Sequence, residues 1–174
     1  MRFLAKDGRV HYGDAILPRG VTDISKATQA RIINGPIFGK HEVTDEVADI
    51  RHLLAPLAMD DVRTVRCLGL NYEKHAIEVS CSYLLCAEYI TYVDAKQSNM
   101  PIPKYPVVFY KPVTSLAGPI DPIPVHPIAQ DGTLDYECEM VAIIGKRASD
   151  VPESEALDYV FGYAVGNDFS HRDW

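Results

Sequence analysis

The segment Leu134-Asp-Tyr-Glu-Cys-Glu-Met140 places Glu137 and Glu139 two residues apart, just ahead of an apolar run that ends at Gly145. Alternate side chains of a strand share a face, so Glu137 and Glu139 point the same way with their Cα atoms about 6.5 to 7 Å apart at about 3.3 Å per residue. Like charges this close repel unless one is protonated or a cation lies between them, and a hard divalent ion is the simplest resolution. A solvent-facing strand with two surface glutamates is the competing reading. A further carboxylate is at hand in Gly166-Asn-Asp-Phe-Ser-His-Arg-Asp173, where Asp168 and Asp173 are both candidates and either could be a turn residue. Three carboxylates would form the protein's full share of an octahedral Mg²⁺ site.

A second cluster is Cys67-Leu-Gly-Leu-Asn-Tyr-Glu-Lys-His-Ala-Ile-Glu78. If a helix starts near Tyr72, His75 and Glu78 fall at i and i+3 on one face. A carboxylate beside an imidazole fixes its tautomer and raises its basicity, which makes a general base able to activate water. An ordinary exposed helical pair would have the same spacing. Gly35-Pro-Ile-Phe-Gly-Lys-His41 approaches a phosphate loop. It is one residue short, and His41 stands where Ser or Thr must bind the metal, so that chemistry is set aside.

The elements that must position these groups are mostly strands. Arg2 to Leu4 and Arg9 to Gly13 flank Asp7-Gly8, a hairpin signal. Thr44 reads as the N-cap of a helix, with Val47, Ile50, Leu53, Leu54 and Leu57 at helical spacing and Pro56 near its end. Short apolar strands follow at Val65 to Leu70, Val107 to Tyr110, Tyr136 to Gly145 and Val160 to Asn167, joined by Pro-rich connectors. One later helix is predicted, with Asp150 as its cap and Pro152, Glu153 and Glu155 in its first turn. The pattern is a β-dominated α+β fold without the strand-helix alternation of doubly wound sheets.

The chain has 174 residues with a net charge of −7, which suits one domain or a fragment of something larger. At 47% hydrophobic and 24% charged residues it lies outside the regime of disorder. A net-negative field with no basic stripe argues against nucleic acid and anionic membrane as partners. The longest apolar runs fall far short of the roughly 20 residues that cross a bilayer. Four cysteines without a Cys-x-x-Cys pair read as reduced thiols. Asp7 and the lack of an apolar h-region do not suit a leader peptide, so a cytoplasmic location is expected, with a mitochondrial one left open.

Taken in order, these segments resemble the fumarylacetoacetate hydrolase family. Gly69-Leu-Asn-Tyr72 with His75 is similar to its early catalytic motif, and Lys111-Pro112 with Ser115-Leu-Ala-Gly-Pro-Ile-Asp121-Pro is similar to its next block. Leu134 to Glu139 and Asp158 to Asp173 resemble its metal-binding blocks. The resemblance implies a mixed β-sandwich roll, incomplete here, after a small N-terminal α/β region at 1–60, with a partial catalytic domain at 61–174. It implies Mg²⁺ or Mn²⁺ on Glu137, Glu139 and Asp168, catalysis by His75 and Glu78, and Arg172 near the substrate. A salt bridge from Arg172 to Asp173 or Asp168 is an equal alternative. The implied substrate is a small 1,3-dicarbonyl or 2-oxo acid, undergoing acylpyruvate-type C–C hydrolysis, or oxaloacetate decarboxylation or tautomerisation. A homodimer is expected once the roll is complete.

The sequence departs from the family twice. Residues 79–97 intervene between the His75-Glu78 segment and Ser98-Asn-Met-Pro101, and they contain no Gly or Pro. With suitable Val-Ser and Gln codons the stretch would start and end like an in-frame intron, so a retained intron is hypothesised, against a genuine lid insertion. Genomic sequence without splice signals at those two points would end the intron reading. The chain also stops at Trp174, before strands that the family uses to complete the roll, which makes a catalytically silent, truncated relative the alternative to an active enzyme.

Overall fold

The computed structural model describes residues 1–69 and 105–171. His75, Glu78, the 79–97 insertion and Arg172 therefore lie outside the described residues. The chain divides into two compact units, one formed by Met1–Ala58 together with the segment from Ala117 onward, the other by the stretch between Met59 and Leu116.

The first unit opens with a closed four-stranded barrel, β1 (Arg2–Ala5), β2 (Val10–Ile16), β3 (Gln29–Asn34) and β4 (Glu42–Leu53), each antiparallel to its neighbours. The expected hairpin is present: Arg9 N–H donates to Asp7 Oδ1 at 2.9 Å, and Gly8 adopts φ 86°, a conformation open to glycine without the Cβ clash. Inward-pointing Phe3, Ala5 and Ala30 are buried at the centre, and Met1, Ala48, Ile50 and Leu53 pack around them. Gly13 is required there, because a Cβ would meet Phe3 Cε1 at 2.7 Å and Ala30 Cβ at 2.9 Å.

The helix expected from Thr44 is instead strand β4, and the N-terminal region is all-β apart from 3₁₀ turns at Ile24–Lys26 and, at its end, Met59–Asp61. Two neighbours decide it. β4 pairs with β3 and with β1, satisfying its backbone on both sides, while β-branched Val43, Thr44, Val47 and Ile50 suit an extended chain. Thr44, read as a cap, donates its hydroxyl across the sheet to the Ile32 carbonyl at 2.9 Å.

Beyond Ala117, the first unit carries two short antiparallel ladders. β7 (Leu134–Asp135) pairs with β10 (Ser170–His171), and β8 (Cys138–Ile144) pairs with β9 (Val160–Asn167). The expected strand Tyr136 to Gly145 is thus broken at Tyr136 and Glu137, which lie between β7 and β8. The later helix is a 3₁₀ segment, Glu153–Tyr159, capped by Pro152 without a side-chain bond. Asp150 does not cap it: its backbone is left-handed at φ 52°, and its Oδ2 accepts from Ser149 Oγ at 3.0 Å.

In the second unit, β5 (Val65–Gly69) and β6 (Val107–Lys111) form an antiparallel pair from Val65 opposite Lys111 to Gly69 opposite Val107. The strands forecast at these positions are present, and the β-dominated fold class holds.

Candidate functional site

Two breaks in neighbouring strands create the site. Tyr136 and Glu137 separate β7 from β8, and Asp168 and Phe169 separate β9 from β10, so the two interruptions face each other. The Asp168 N–H donates to the Glu137 carbonyl at 2.8 Å, and the Glu137 N–H donates to Asn167 Oδ1 at 3.2 Å. Asn167 therefore satisfies with its side chain a backbone donor that no ladder bond reaches.

Glu139 stands on β8 opposite Gly166. Its cross-strand partner offers no side chain, and a Cβ at Gly166 would meet Val141 Cγ2 at 2.8 Å. Glu139 shares its face of the ladder with Val141 and Ile143, and Glu137 and Asp168 continue the same alternation in their own segments. All three carboxylate residues are half-buried. Asp173, the competitor of Asp168, is outside the described residues.

Oxygen donors of this kind fit a hard divalent cation in chemistry. Their spacing is looser: among the described residues, no group of three or more His, Cys, Asp or Glu side chains is gathered closely enough to hold a metal ion. The fold thus brings Glu137, Glu139 and Asp168 to one end and one face of a ladder without converging them.

Sequence reasoning missed a neighbouring cluster. His171 Nε2 lies 2.9 Å from Thr133 Oγ1 and 3.2 Å from both carboxylate oxygens of Asp131. Thr133 donates to Asp131 Oδ1 through its N–H at 3.0 Å and its hydroxyl at 2.7 Å. Led by the Thr133 backbone bond, these contacts hold the Asp131 carboxyl below its ordinary value of 3.8. The cluster ties the turn before β7 to β10, the two short strands that flank the carboxylates. The signal available in the sequence was Asp131-Gly132-Thr133, a turn whose glycine takes φ 93°. In the other matched block, Asp121 Oδ2 accepts from the Gly118 N–H at 2.7 Å, a turn-forming bond.

The strand-built site and its carboxylates define a β-rich protein in which ladder ends carry the candidate ligands. Residues 64–174 match the fumarylacetoacetate (FAA) hydrolase C-terminal family, and the chain belongs to that family. Caffeoylpyruvate hydrolase of Neonothopanus nambi is 43% identical over 134 residues, covering 75% of this chain and 40% of that protein. The mitochondrial oxaloacetate tautomerase FAHD2A of Homo sapiens is 30% identical over 158 residues, covering 91% of this chain and 40% of that protein. The solved structure of 5-carboxymethyl-2-hydroxymuconate delta-isomerase from Mycobacterium smegmatis superposes with a TM-score of 0.67 at 26% identity, covering 99% of this chain and 55% of that one. The chain spans about 40% of the length of these curated relatives. Among the described residues, no helix is long and apolar enough to cross a membrane.

Proposed function

We propose that the chain belongs to an enzyme acting on a small 1,3-dicarbonyl or 2-oxo acid, by acylpyruvate-type C–C hydrolysis or oxaloacetate tautomerisation. The observation that carries this reading is the alignment of Glu137, Glu139 and Asp168 on one face at one ladder end, in a family whose relatives here include a hydrolase and a tautomerase. Mg²⁺ or Mn²⁺ is part of the proposal. Such an ion, when bound, supplies Lewis-acid stabilisation of a developing enolate.

The remaining roles belong to this chain's own groups. The Asp168 N–H to Glu137 carbonyl bond fixes the two broken strands against each other, and Asn167 holds the Glu137 backbone from the side. The Thr133, Asp131 and His171 contacts limit how far β10 can move from the turn before β7. His75 with Glu78 is proposed to position and deprotonate water, and Arg172 to receive a substrate carboxylate. A cytoplasmic or mitochondrial location and a homodimer complete the reading.

Turnover of an acylpyruvate and of oxaloacetate by the purified chain, with Mg²⁺, with Mn²⁺ and with chelator, tests it. Metal-stimulated turnover that Glu137→Ala abolishes is the expected result. Equal background rates for both proteins would favour a second reading, a catalytically silent family member. That reading has its own support in the apolar face of the β8–β9 ladder that the described residues leave uncovered, where Met140, Tyr163 and Val165 are 70%, 59% and 80% exposed.

A further inference from the structure

A cavity of about 410 Å³, open to solvent, lies at the opposite end of the β8–β9 ladder from the carboxylates. Cys138 pairs with Asn167 at the carboxylate end, and Ile144 pairs with Val160 at the other, so six residues of extended strand, about 20 Å, separate the two places.

Its walls come from two distant parts of the first unit. The β3–β4 loop contributes Phe38 and His41, and the ladder end contributes Lys146, Asp158, Tyr159 and Phe161. A register shift places Ile143 opposite Gly162 but Ile144 opposite Val160, so Phe161 is the extra residue of a β-bulge. Bulges re-aim side chains, and this one sets the Phe161 ring against Phe38, with centroids 5.1 Å apart and planes at 57°. Gly145 permits the approach, since a Cβ there would meet Phe161 Cβ at 2.8 Å. The His41 ring is held by an Nδ1–H donating to the Gly39 carbonyl at 3.0 Å.

Lys146 Nζ lies over the Tyr159 ring, 5.8 Å from its centroid. Among the described residues, neither Lys146 nor Asp158 has an ion-pair partner. An aromatic wall with one ammonium not held in an ion pair recognises a flat ring bearing one carboxylate, and the Asp158 carboxylate repels a second negative charge. We propose that this cavity is a binding site for a small aromatic monocarboxylate, separate from the carboxylate end of the ladder.

Titration of the full chain with benzoate and with 3-phenylpropanoate, followed by backbone amide NMR, tests the site. Saturable shifts at Gly39, Gly145 and Tyr159 are expected. Loss of one charge-assisted contact in Lys146→Met should weaken binding about tenfold. Cyclohexanecarboxylate should bind more weakly than benzoate, and terephthalate should bind only to Asp158→Asn. Both substitutions are of exposed residues, and dispersed variant spectra check their folding. The proposal is overturned by an absence of saturable shifts, by affinity unchanged in Lys146→Met, by equal binding of the cyclohexane acid, or by shifts centred on Cys138, Glu139 and Asn167.

Discussion

Replacing Glu139 with Gln separates the repulsion between the paired carboxylates from their use as ligands. In extended chain the two Cα atoms stand about 7 Å apart, and unit charges at that separation with an effective dielectric of about 20 repel by about 2 kcal/mol. Both residues are half-buried, so solvent screening reduces this to about 1 kcal/mol or less. Without metal, Glu139→Gln should therefore be slightly more stable than the native chain, by about 2–4 °C in Tm for about 1 kcal/mol at this size. Excess Mg²⁺ reverses the order. An ion present at about 100 times its Kd stabilises the native chain by about 2.7 kcal/mol, and the variant, with one anionic ligand fewer, should gain little. Thermal melts with Mg²⁺ and with chelator read both signs, and exposed Glu46→Gln controls for the change in net charge. A Glu139→Gln chain that is destabilised without metal, or stabilised by Mg²⁺ as much as the native chain, would refute the reasoning.

The barrel core gives a larger effect: Phe3 is fully buried, and Phe3→Ala should cost about 3–5 kcal/mol, read from the urea midpoint. Gly13→Ala should cost about 1–3 kcal/mol by overpacking the same ring, and a neutral result would show that the ring shifts without strain. Stability should also fall on the acid side. Asp131 is held below 3.8 chiefly by the Thr133 backbone bond, Asp23 by the Ser25 hydroxyl and Asp49 by the Gln29 amide. Between the folded and unfolded values the unfolded chain binds more protons. The contribution of these carboxylates is therefore complete above pH 3.8 and lost as pH falls through the lowered values. Melting temperature against pH should show a shallower acid limb in Asp131→Asn, and superimposable limbs would remove Asp131 from the account.

Much of the fold was legible where the pattern was local. Asp7-Gly8 marked its hairpin, and the short apolar run Val160 to Asn167 marked its strand, because turn chemistry and apolar patterning act over a few residues. The segment from Thr44 to Leu53 was misread because its apolar residues also satisfy a helical period. Closure of the barrel, a long-range event that gives β4 partners on both edges, decided for strand. Asp150 was misread because a cap needs backbone geometry as well as a carboxylate, and its φ of 52° aims the chain elsewhere. At the site, the spacing of Glu137 and Glu139 announced a shared face. The breaks at Glu137 and Asp168, and the Asn167 side chain that bridges them, depend on pairing between residues about thirty apart and had no local signature.

The same pairing explains why these carboxylates can share a face and still not form a closed ligand set. Among the described residues, each ladder beyond Ala117 is two strands wide, and the apolar side of β8–β9, through the exposed Met140, Tyr163 and Val165, is left uncovered. A two-stranded ladder is marginal in water and gains rigidity from a third strand or from material packed on its face. Preorganised ligands need that rigidity, because side-chain positions inherit the motion of the backbone beneath them. Here the carboxylate end is steadied by short-range devices: one backbone bond, one asparagine and the Thr133-Asp131-His171 cluster. These fix which residues meet, and they leave the distance between the carboxylate groups to whatever covers the opposite face. Covering that face and drawing Glu137, Glu139 and Asp168 together are, on this argument, coupled through the two strands that carry both.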